Sequence, residues 1–208
     1  RWRVETARGP VLARFVVLAS NAYTGALWPA LTRSLTPIHY VQATTEPLGA
    51  RADAILPEGQ GLWDTAPIMS SLRRDAEGRL ILGSMGRALG DAGGGITRRW
   101  AAARLRRLFP DLGPVRIEHV WDGRIGMTSD HIPRIHQLAP GLFAPSAYNG
   151  RGITTGTVFG AALARHLSGD AGALPLPVST PAPDRLAPAR ARLFDLAFAA
   201  RQVWGAVG

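Results

Sequence analysis

Cysteine and lysine are both absent from the 208 residues. The absence of cysteine excludes disulfides, thiolate metal sites and a cysteine nucleophile, and it is typical of a reducing compartment, so we expect a cytoplasmic protein. The absence of lysine leaves arginine as the source of all 24 basic residues and of the net charge of +9. Because the chain is also rich in glycine and proline, the arginine content indicates coding bias, and we do not expect a nucleic-acid partner.

Several functional signatures are also missing. No apolar run reaches the ~18 residues of a membrane span, and the five histidines have neither HExxH nor HxxEH spacing, so we expect no membrane span and no metal site. The chain has no GxSxG motif and no P-loop, which leaves acyl and phosphoryl transfer without support. It begins with Arg1, and Trp2 to Thr6 already has the pattern of a strand, so we expect a missing N-terminal portion.

The first part of the chain is predicted to form strands. The continuous apolar run from Phe15 to Ala19 indicates a strand buried on both faces, as in the middle of an α/β sheet. Short alternating strands follow over 36–84, and they include a hairpin whose turn places Gly78 where a positive φ is needed. Residues 90–95 are predicted to be a flexible connector.

Three helices are predicted. The first covers 96–109, the second covers 153–167 and ends before Gly169, and the third covers 189–203. The first helix is expected to carry an arginine cluster on its solvated side, with no aromatic platform beside it: Arg98, Arg99, Arg104, Arg106 and Arg107. The remaining predicted segments are strands at 115–121 and 142–147 and an irregular, proline-rich stretch at 173–188.

The glycine turn before the second helix carries the strongest chemical signal. Gly150 and Gly152 allow a ligand to approach the backbone, and the first N–H groups of the helix form an anion site, to which Thr154 adds a hydroxyl. A dinucleotide-binding fingerprint would need a further strand and an acidic residue downstream, and neither follows. From spacing alone, a ligand site and a purely structural turn are both open. Small residues leave one helix face nearly flat: Gly156, Gly160 and Ala164.

Five segments in order resemble the FAD-dependent oxidoreductases of the D-amino-acid oxidase type. This family contains glycine oxidase, sarcosine oxidase and γ-glutamylputrescine oxidase, and the resemblance is closest to the last branch. It spans most of residues 1–168. The segments are FVVLASNAY at 15–23, ATTEPL at 43–48, SLRRDAEGRLILG at 71–83, WDGRIGMTSDHIPRI at 121–135 and YNGRGITTGTVFGAALA at 148–164.

The resemblance implies an α+β fold, in which a fragment of an α/β FAD-binding domain accompanies a substrate domain with an antiparallel sheet. The FAD-binding part would comprise 1–35 and 115–170, the substrate domain 36–114, and a C-terminal tail and helix 171–208. The resemblance further implies oxidation of a small-molecule amine or amino acid by hydride transfer to FAD, with the phosphate-binding half of the site in the missing N-terminal portion.

The resemblance also assigns site residues. The cofactor-binding residues would be Asn149, Gly150, Arg151, Gly152, Ile153 and Thr154, beside the pyrimidine edge of the flavin. The substrate-binding residues would be Arg73, Tyr40 and Tyr148. Asp130 would hold the loop next to the flavin, and no catalytic residue is assigned. In sarcosine oxidases a lysine in the closing motif assists the reaction with oxygen, and Thr154 stands at that position here, which leaves the electron acceptor open.

A different class of function remains as the alternative. In it the chain is a non-catalytic or degenerate fragment that packs on a partner through an unpaired sheet edge.

Overall fold

The computed structural model describes residues 1–90, 95–170 and 172–207. The strands are β1 (Trp2–Val4), β2 (Val11–Ala13), β3 (Val16–Val17), β4 (Thr36–Thr45), β5 (Leu62–Trp63), β6 (Ser70–Arg74), β7 (Leu80–Met85), β8 (Ile117–Met127), β9 (Arg134–Ala139), β10 (Leu142–Ser146) and β11 (Val178–Ser179). The α-helices are α1 (Pro29–Arg33), α2 (Gly95–Leu108), α3 (Gly152–Leu167) and α4 (Ala187–Val207). The predicted mixed fold of α-helices and β-sheets is confirmed.

The chain divides into two compact units. Unit 1 comprises Arg1–Pro37 and Arg124–Arg190, and unit 2 comprises Ile38–Gly123 and Ala191–Gly208. The assignment of FAD-binding and substrate domains to segments of the chain stays a prediction.

Unit 1 contains a four-stranded sheet in the order β11-β9-β10-β3. β10 runs parallel to β3 and antiparallel to β9. The helix α3 covers one face of this sheet, where Ile135 and Phe143 from the strands meet Phe159 and Leu163 from the helix. Phe159 and Leu163 are four positions apart and therefore lie on one side of α3. The helix ends before Gly169, whose φ of 113° allows the predicted glycine stop.

The prediction of a strand buried on both faces at 15–19 is wrong. Only Val16–Val17 is extended in a sheet, and the side chains of Phe15 and Val17 are 36% and 40% exposed. The reason is that β3 pairs with β10 alone among the described strands and forms the edge of its sheet. A continuous apolar run is therefore compatible with an edge strand whose second neighbour is not among the described residues.

Unit 2 contains a five-stranded sheet in the order β5-β6-β7-β4-β8. Its inner face is apolar, and Leu72 and Leu82 on this face pack in one core with Trp100 and Leu105 of α2. The predicted hairpin is confirmed as β6 and β7. In its turn the Asp75 carboxylate accepts hydrogen bonds from the N–H groups of residues 77 and 79, and Gly78 has a φ of 74°.

Several predicted bounds shift. The strand predicted at 115–121 begins two residues later, at Ile117, and continues to Met127 through residues that were predicted to form a loop. The second helix is confirmed, and the third begins two residues earlier than predicted and extends to Val207. The irregular stretch at 173–188 contains the short strand β11. The predicted connector at 90–95 lies largely outside the described residues, and no described helix is long and apolar enough to span a membrane.

The solvated position expected for the arginine cluster on α2 holds for Arg99, Arg106 and Arg107, which are exposed, but not for its other two members. Arg104 donates to the Asp64 carboxylate at 2.8 Å, and Arg98 donates to the carbonyl of Glu118 at 2.9 Å. Aromatic side chains stand beside the cluster, because Trp100 and Trp204 line a groove together with Arg104. The period of α2 alone cannot predict that Trp204 lies beside Arg104, because Trp204 belongs to α4, a hundred positions further along the chain.

Candidate functional site

The turn between β10 and α3 has an unusual backbone. Ala147 and Asn149 have φ values of 60° and 52°, in the left-handed region that side chains other than glycine rarely occupy, and Gly150 has a φ of 86°. Such conformations cost on the order of 1 kcal/mol or more and persist only where neighbouring groups hold them. A left-handed turn of this kind is typical of a functional site.

Hydrogen bonds to Asn21 and Thr128 hold this turn in place. The Asn21 carboxamide oxygen accepts from the N–H of Ala147 at 3.2 Å, and Asn21 itself has a φ of 42°. The Asn149 carboxamide oxygen accepts from the N–H of Thr128 at 2.8 Å, while its amide group donates to the Ala147 carbonyl. A Cβ on Gly126 would lie 2.9 Å from the Asn21 oxygen, so a side chain there would displace Asn21. The turn is thus bound to two other segments of unit 1.

The start of α3 is open. Arg151 precedes the helix without any side-chain cap, and the first N–H bond back to it comes from Thr155, at 3.0 Å. The N–H groups of Gly152, Ile153 and Thr154 therefore have no intrahelical acceptor. Ile153 is 87% exposed. These three N–H groups can donate hydrogen bonds to a ligand that carries negative charge or hydrogen-bond acceptors.

Other predicted residues of the turn have internal partners. The Thr154 hydroxyl donates to the Arg151 carbonyl at 3.3 Å, and the Arg151 guanidinium donates to the His131 carbonyl at 3.2 Å. Tyr148 is half-buried against the helix, 3.7 Å from where a Cβ on Gly152 would lie, and burial raises the pKa of its hydroxyl. Tyr148 therefore packs against the flat helix face and stays protonated at neutral pH.

Asp130 organises the loop that follows β8. Its carboxylate forms an ion pair with Arg134 and accepts from the N–H of Ile132 at 3.2 Å. The Arg134 guanidinium holds the pKa of this carboxyl well below its usual range, so Asp130 is ionised at neutral pH and is unsuited to be a general base.

A second candidate surface lies in unit 2, on the outer face of the five-stranded sheet. The register places Gln42, Gly83 and Ser71 in one row across β4, β7 and β6. The Tyr40 hydroxyl lies 2.7 Å from the Ser71 hydroxyl, and the Arg73 guanidinium donates to the Gln42 carboxamide at 3.1 Å. The structure thus brings Arg73 and Tyr40 onto one surface of unit 2. Their role as substrate-binding residues stays a prediction.

Gly83 allows this arrangement. A Cβ at this position would lie 2.7 Å from both the Ser71 hydroxyl and the Tyr40 ring. The Tyr40 ring therefore lies directly across the backbone of β7, and burial raises the pKa of its hydroxyl. The ring thus covers part of the outer face and ends at the Ser71 hydroxyl.

A shallow cleft of about 160 Å³ opens on the same face and includes Arg73. Trp63 stands at its side with 69% of the residue exposed. Arg73 has no ion pair with a carboxylate in the described parts of the chain. The other lining residues are Gln42, Gly61, Leu62, Ser71, Leu72, Ile81 and Gly83.

Sequence reasoning missed several of these residues. Asn21 had a usable signal, because asparagine shortly after an apolar run is favoured in left-handed turns. Gln42, Ser71 and Gly83 alternate with the buried residues of their strands and could have been assigned to the outer face by period. Trp63 had no such signal, because β5 has only two residues.

Comparison with known proteins identifies the family. Residues 1–166 match the family described as FAD dependent oxidoreductase. The chain belongs to this family. The FAD-dependent oxidoreductases most similar among curated proteins include the γ-glutamylputrescine oxidoreductase of Escherichia coli, which is 30% identical over 170 residues that cover 81% of this chain and 40% of that protein. A probable oxidoreductase, OrdL of Rhizobium meliloti, is 29% identical over 154 residues, covering 72% of this chain and 35% of that protein.

Solved structures share the fold. A thermally stable mutant of fructosyl peptide oxidase has a TM-score of 0.63 at 18% identity and covers 90% of this chain and 50% of its own. The L-proline dehydrogenase of P. horikoshii has a TM-score of 0.58 at 18% identity, covering 84% of this chain and 47% of its own. The chain thus spans half or less of these proteins.

The cofactor of FAD-dependent oxidoreductases fits the chemistry of the α3 start. A flavin carries carbonyl oxygens and a ring nitrogen that accept hydrogen bonds, and the uncapped N–H groups of Gly152, Ile153 and Thr154 are donors. A Cβ on Gly150 would meet no atom within 4 Å, so space remains beside the turn. The residues that would hold the flavin edge are therefore of the right chemical type.

Proposed function

We propose that the chain forms part of an FAD-dependent oxidoreductase that oxidises the C–N bond of an amine or amino acid. The observation that carries this proposal is the open start of α3, held in place by the Asn149 turn, in a chain of this family. The name of the Escherichia coli relative, γ-glutamylputrescine oxidoreductase, supports an amine as substrate. The glycine oxidase of Geobacillus kaustophilus, a structural neighbour with a TM-score of 0.53, shares the fold.

In this proposal the residues of unit 1 bind the pyrimidine edge of FAD. The backbone N–H groups of 152–154 donate to it, and the helix dipole stabilises negative charge at that edge. When bound, FAD supplies the hydride acceptor for the carbon that carries the amine. The segments 1–35 and 115–170 belong to the FAD-binding domain, and a preceding segment of the protein supplies the phosphate-binding half.

The substrate in this proposal lies on the outer sheet face. Arg73 binds its carboxylate through the guanidinium that Gln42 orients, and Tyr40 limits the end of the pocket. The segment 36–114 is then the substrate domain, 171–208 is the C-terminal tail and helix, and the protein is cytoplasmic. Imine released after oxidation hydrolyses in water without further residues.

A second candidate function is packing on a partner without catalysis. The open edge of β3 favours it, because Phe15 and Val17 are partly exposed there.

Flavin loading separates the two candidates. We expect the full-length gene product, purified with its preceding segment, to be yellow and to show the visible absorption of a flavin, whereas the 208-residue chain alone stays colourless. The measurement is the ratio of flavin to protein absorbance after incubation with FAD and desalting. A full-length product that remains colourless at saturating FAD would exclude the oxidoreductase and leave the packing function.

Arg73 is expected to set the affinity for a substrate carboxylate. In the loaded enzyme, Arg73→Ala should raise KM for an amino-acid substrate roughly tenfold or more, since a hydrogen bond to a charged group contributes about 1.5–3 kcal/mol. KM for an amine that lacks a carboxylate should not change. The control is Arg99→Ala, which removes the same charge from an exposed site on α2. An equal rise of KM for both substrates would contradict the assignment.

A further inference from the structure

The helix α4 is fixed to unit 2 by one of its faces. The Gln202 side chain is 2% exposed; it accepts from the Thr97 hydroxyl at 2.7 Å and donates to the Arg87 carbonyl at 3.0 Å. A Cβ on Gly205 would lie 2.8 Å from the Trp100 ring. These specific contacts define the orientation of the helix and therefore also which side chains point outward.

The opposite face of α4 carries an exposed apolar stripe. Leu193, Leu196, Val203 and Trp204 are 64%, 71%, 45% and 86% exposed. Their spacing follows one side of a helix. The stripe is about 16 Å long at ~1.5 Å per residue, which is three helical turns. Large apolar side chains that are exposed along one helix face are typical of an interaction site.

A basic groove adjoins this stripe. It lies between α2 and α4, has a volume of about 950 Å³, and is bordered by Trp100 and Trp204. Its charged lining residues are Arg104, Arg107 and Arg201, and no carboxylate lines it. The remaining lining residues are Ile68, Ala200, Val203 and Gly205.

Two of these arginines are available to a partner. Arg104 is paired with Asp64 at 2.8 Å. Arg107 and Arg201 form no ion pair within the part of the chain that the structure describes. The groove therefore presents positive charge that this unit does not neutralise.

We propose that the stripe and the α2–α4 groove bind an acidic amphipathic helix of a partner protein. The apolar stripe matches three turns of such a helix, and its carboxylates neutralise Arg107 and Arg201. A second copy of this chain is disfavoured, because a symmetric contact through the groove would bring arginines from both copies together without a lining carboxylate from either. A nucleic-acid strand would stack on Trp204 and pair with the arginines, but it would leave Leu193 and Leu196 uncovered.

The test measures binding of a defined peptide to the 208-residue chain. The probe is a fluorescein-labelled 18-residue peptide with leucines on one helical face and glutamates along both edges of that face, and its counterpart carries lysine in place of glutamate. Fluorescence anisotropy should show that the acidic peptide binds at least tenfold more tightly. We expect Trp204→Ala to weaken binding about 30-fold and Arg107→Glu combined with Arg201→Glu to weaken it roughly tenfold or more.

The control is the pair Arg99→Glu and Arg106→Glu, which reverses two exposed arginines of α2 outside the groove lining and should leave binding unchanged. Thermal melting by circular dichroism verifies that each variant is folded. The proposal is overturned if the acidic peptide does not bind, if both peptides bind alike, or if the control weakens binding equally. It is also overturned if the acidic peptide does not bind while a thymidine oligonucleotide or anionic vesicles do. A further contrary result would be that Trp204→Ala dissociates a dimer of the chain and leaves peptide binding unchanged.

Discussion

Gly83→Val is expected to abolish the outer sheet surface that holds Tyr40 and Ser71. The added Cβ would lie 2.7 Å from both the Ser71 hydroxyl and the Tyr40 ring, so both groups must move. Overpacking of this kind costs about 1–3 kcal/mol of unfolding free energy. The cleft proposed to hold the substrate is lined by Ser71 and Gly83. Since Gly83→Val adds a side chain to it and displaces Ser71, we expect kcat/KM of the full-length enzyme to fall by roughly a hundredfold, as for misplacement near a reacting group.

The matched control is Gly61→Val. Gly61 lines the same cleft, and a Cβ there would meet no atom within 4 Å. This variant should retain its stability within ~0.5 kcal/mol, as is usual for surface substitutions, and it therefore separates the clash at Gly83 from the mere addition of a side chain to the cleft. The measurements are urea unfolding of the 208-residue chain and steady-state kinetics of the full-length enzyme. If both variants behave alike, the Tyr40 arrangement does not shape the site.

Asn149→Ala is expected to disorder the turn before α3. It removes the acceptor for the Thr128 N–H and the donor to the Ala147 carbonyl, and it places alanine at a φ of 52°. A buried hydrogen bond contributes ~1 kcal/mol, and alanine in the left-handed region costs a further 1–2 kcal/mol, so we expect a loss of about 2–4 kcal/mol. Full-length protein with this change should lose most of its bound flavin.

Asn149→Gly separates the two contributions. Glycine adopts the left-handed conformation without steric cost but makes neither side-chain hydrogen bond. We therefore expect this variant to lose about half as much stability as Asn149→Ala in the same urea titration, and to retain more flavin. Equal losses from the two variants would show that backbone strain at this position is unimportant.

Sequence patterns predicted the regular elements best where a period or a stop signal was strong. The helix at 153–167 and the β6–β7 hairpin agree with the structure because Gly169 and Gly78 have the positive φ values that glycine supplies. The strand at 15–19 was misjudged because apolar composition does not specify how many neighbours a strand has. Burial on both faces depends on partners from other parts of the chain.

The candidate site was predicted only in its local part. The glycine turn is encoded within a few residues, so its open helix start follows from sequence. Asn21 and Thr128 reach the turn from segments 126 and 19 positions away from Ala147, and no local pattern reports such contacts. The same holds for Tyr40 and Ser71, whose meeting depends on the register of β4, β7 and β6.

The pairing of β3 with β10 has a consequence for synthesis on the ribosome. Val16 pairs with Leu142, so β3 leaves the exit tunnel well before its partner. Leu142 comes 126 positions after Val16. At about 5–20 residues per second, the ribosome takes roughly 6 to 25 s to advance from one to the other. Unit 2 lies mostly within this interval and can fold first. During that time β3 lacks β10, which is its one partner among the described strands.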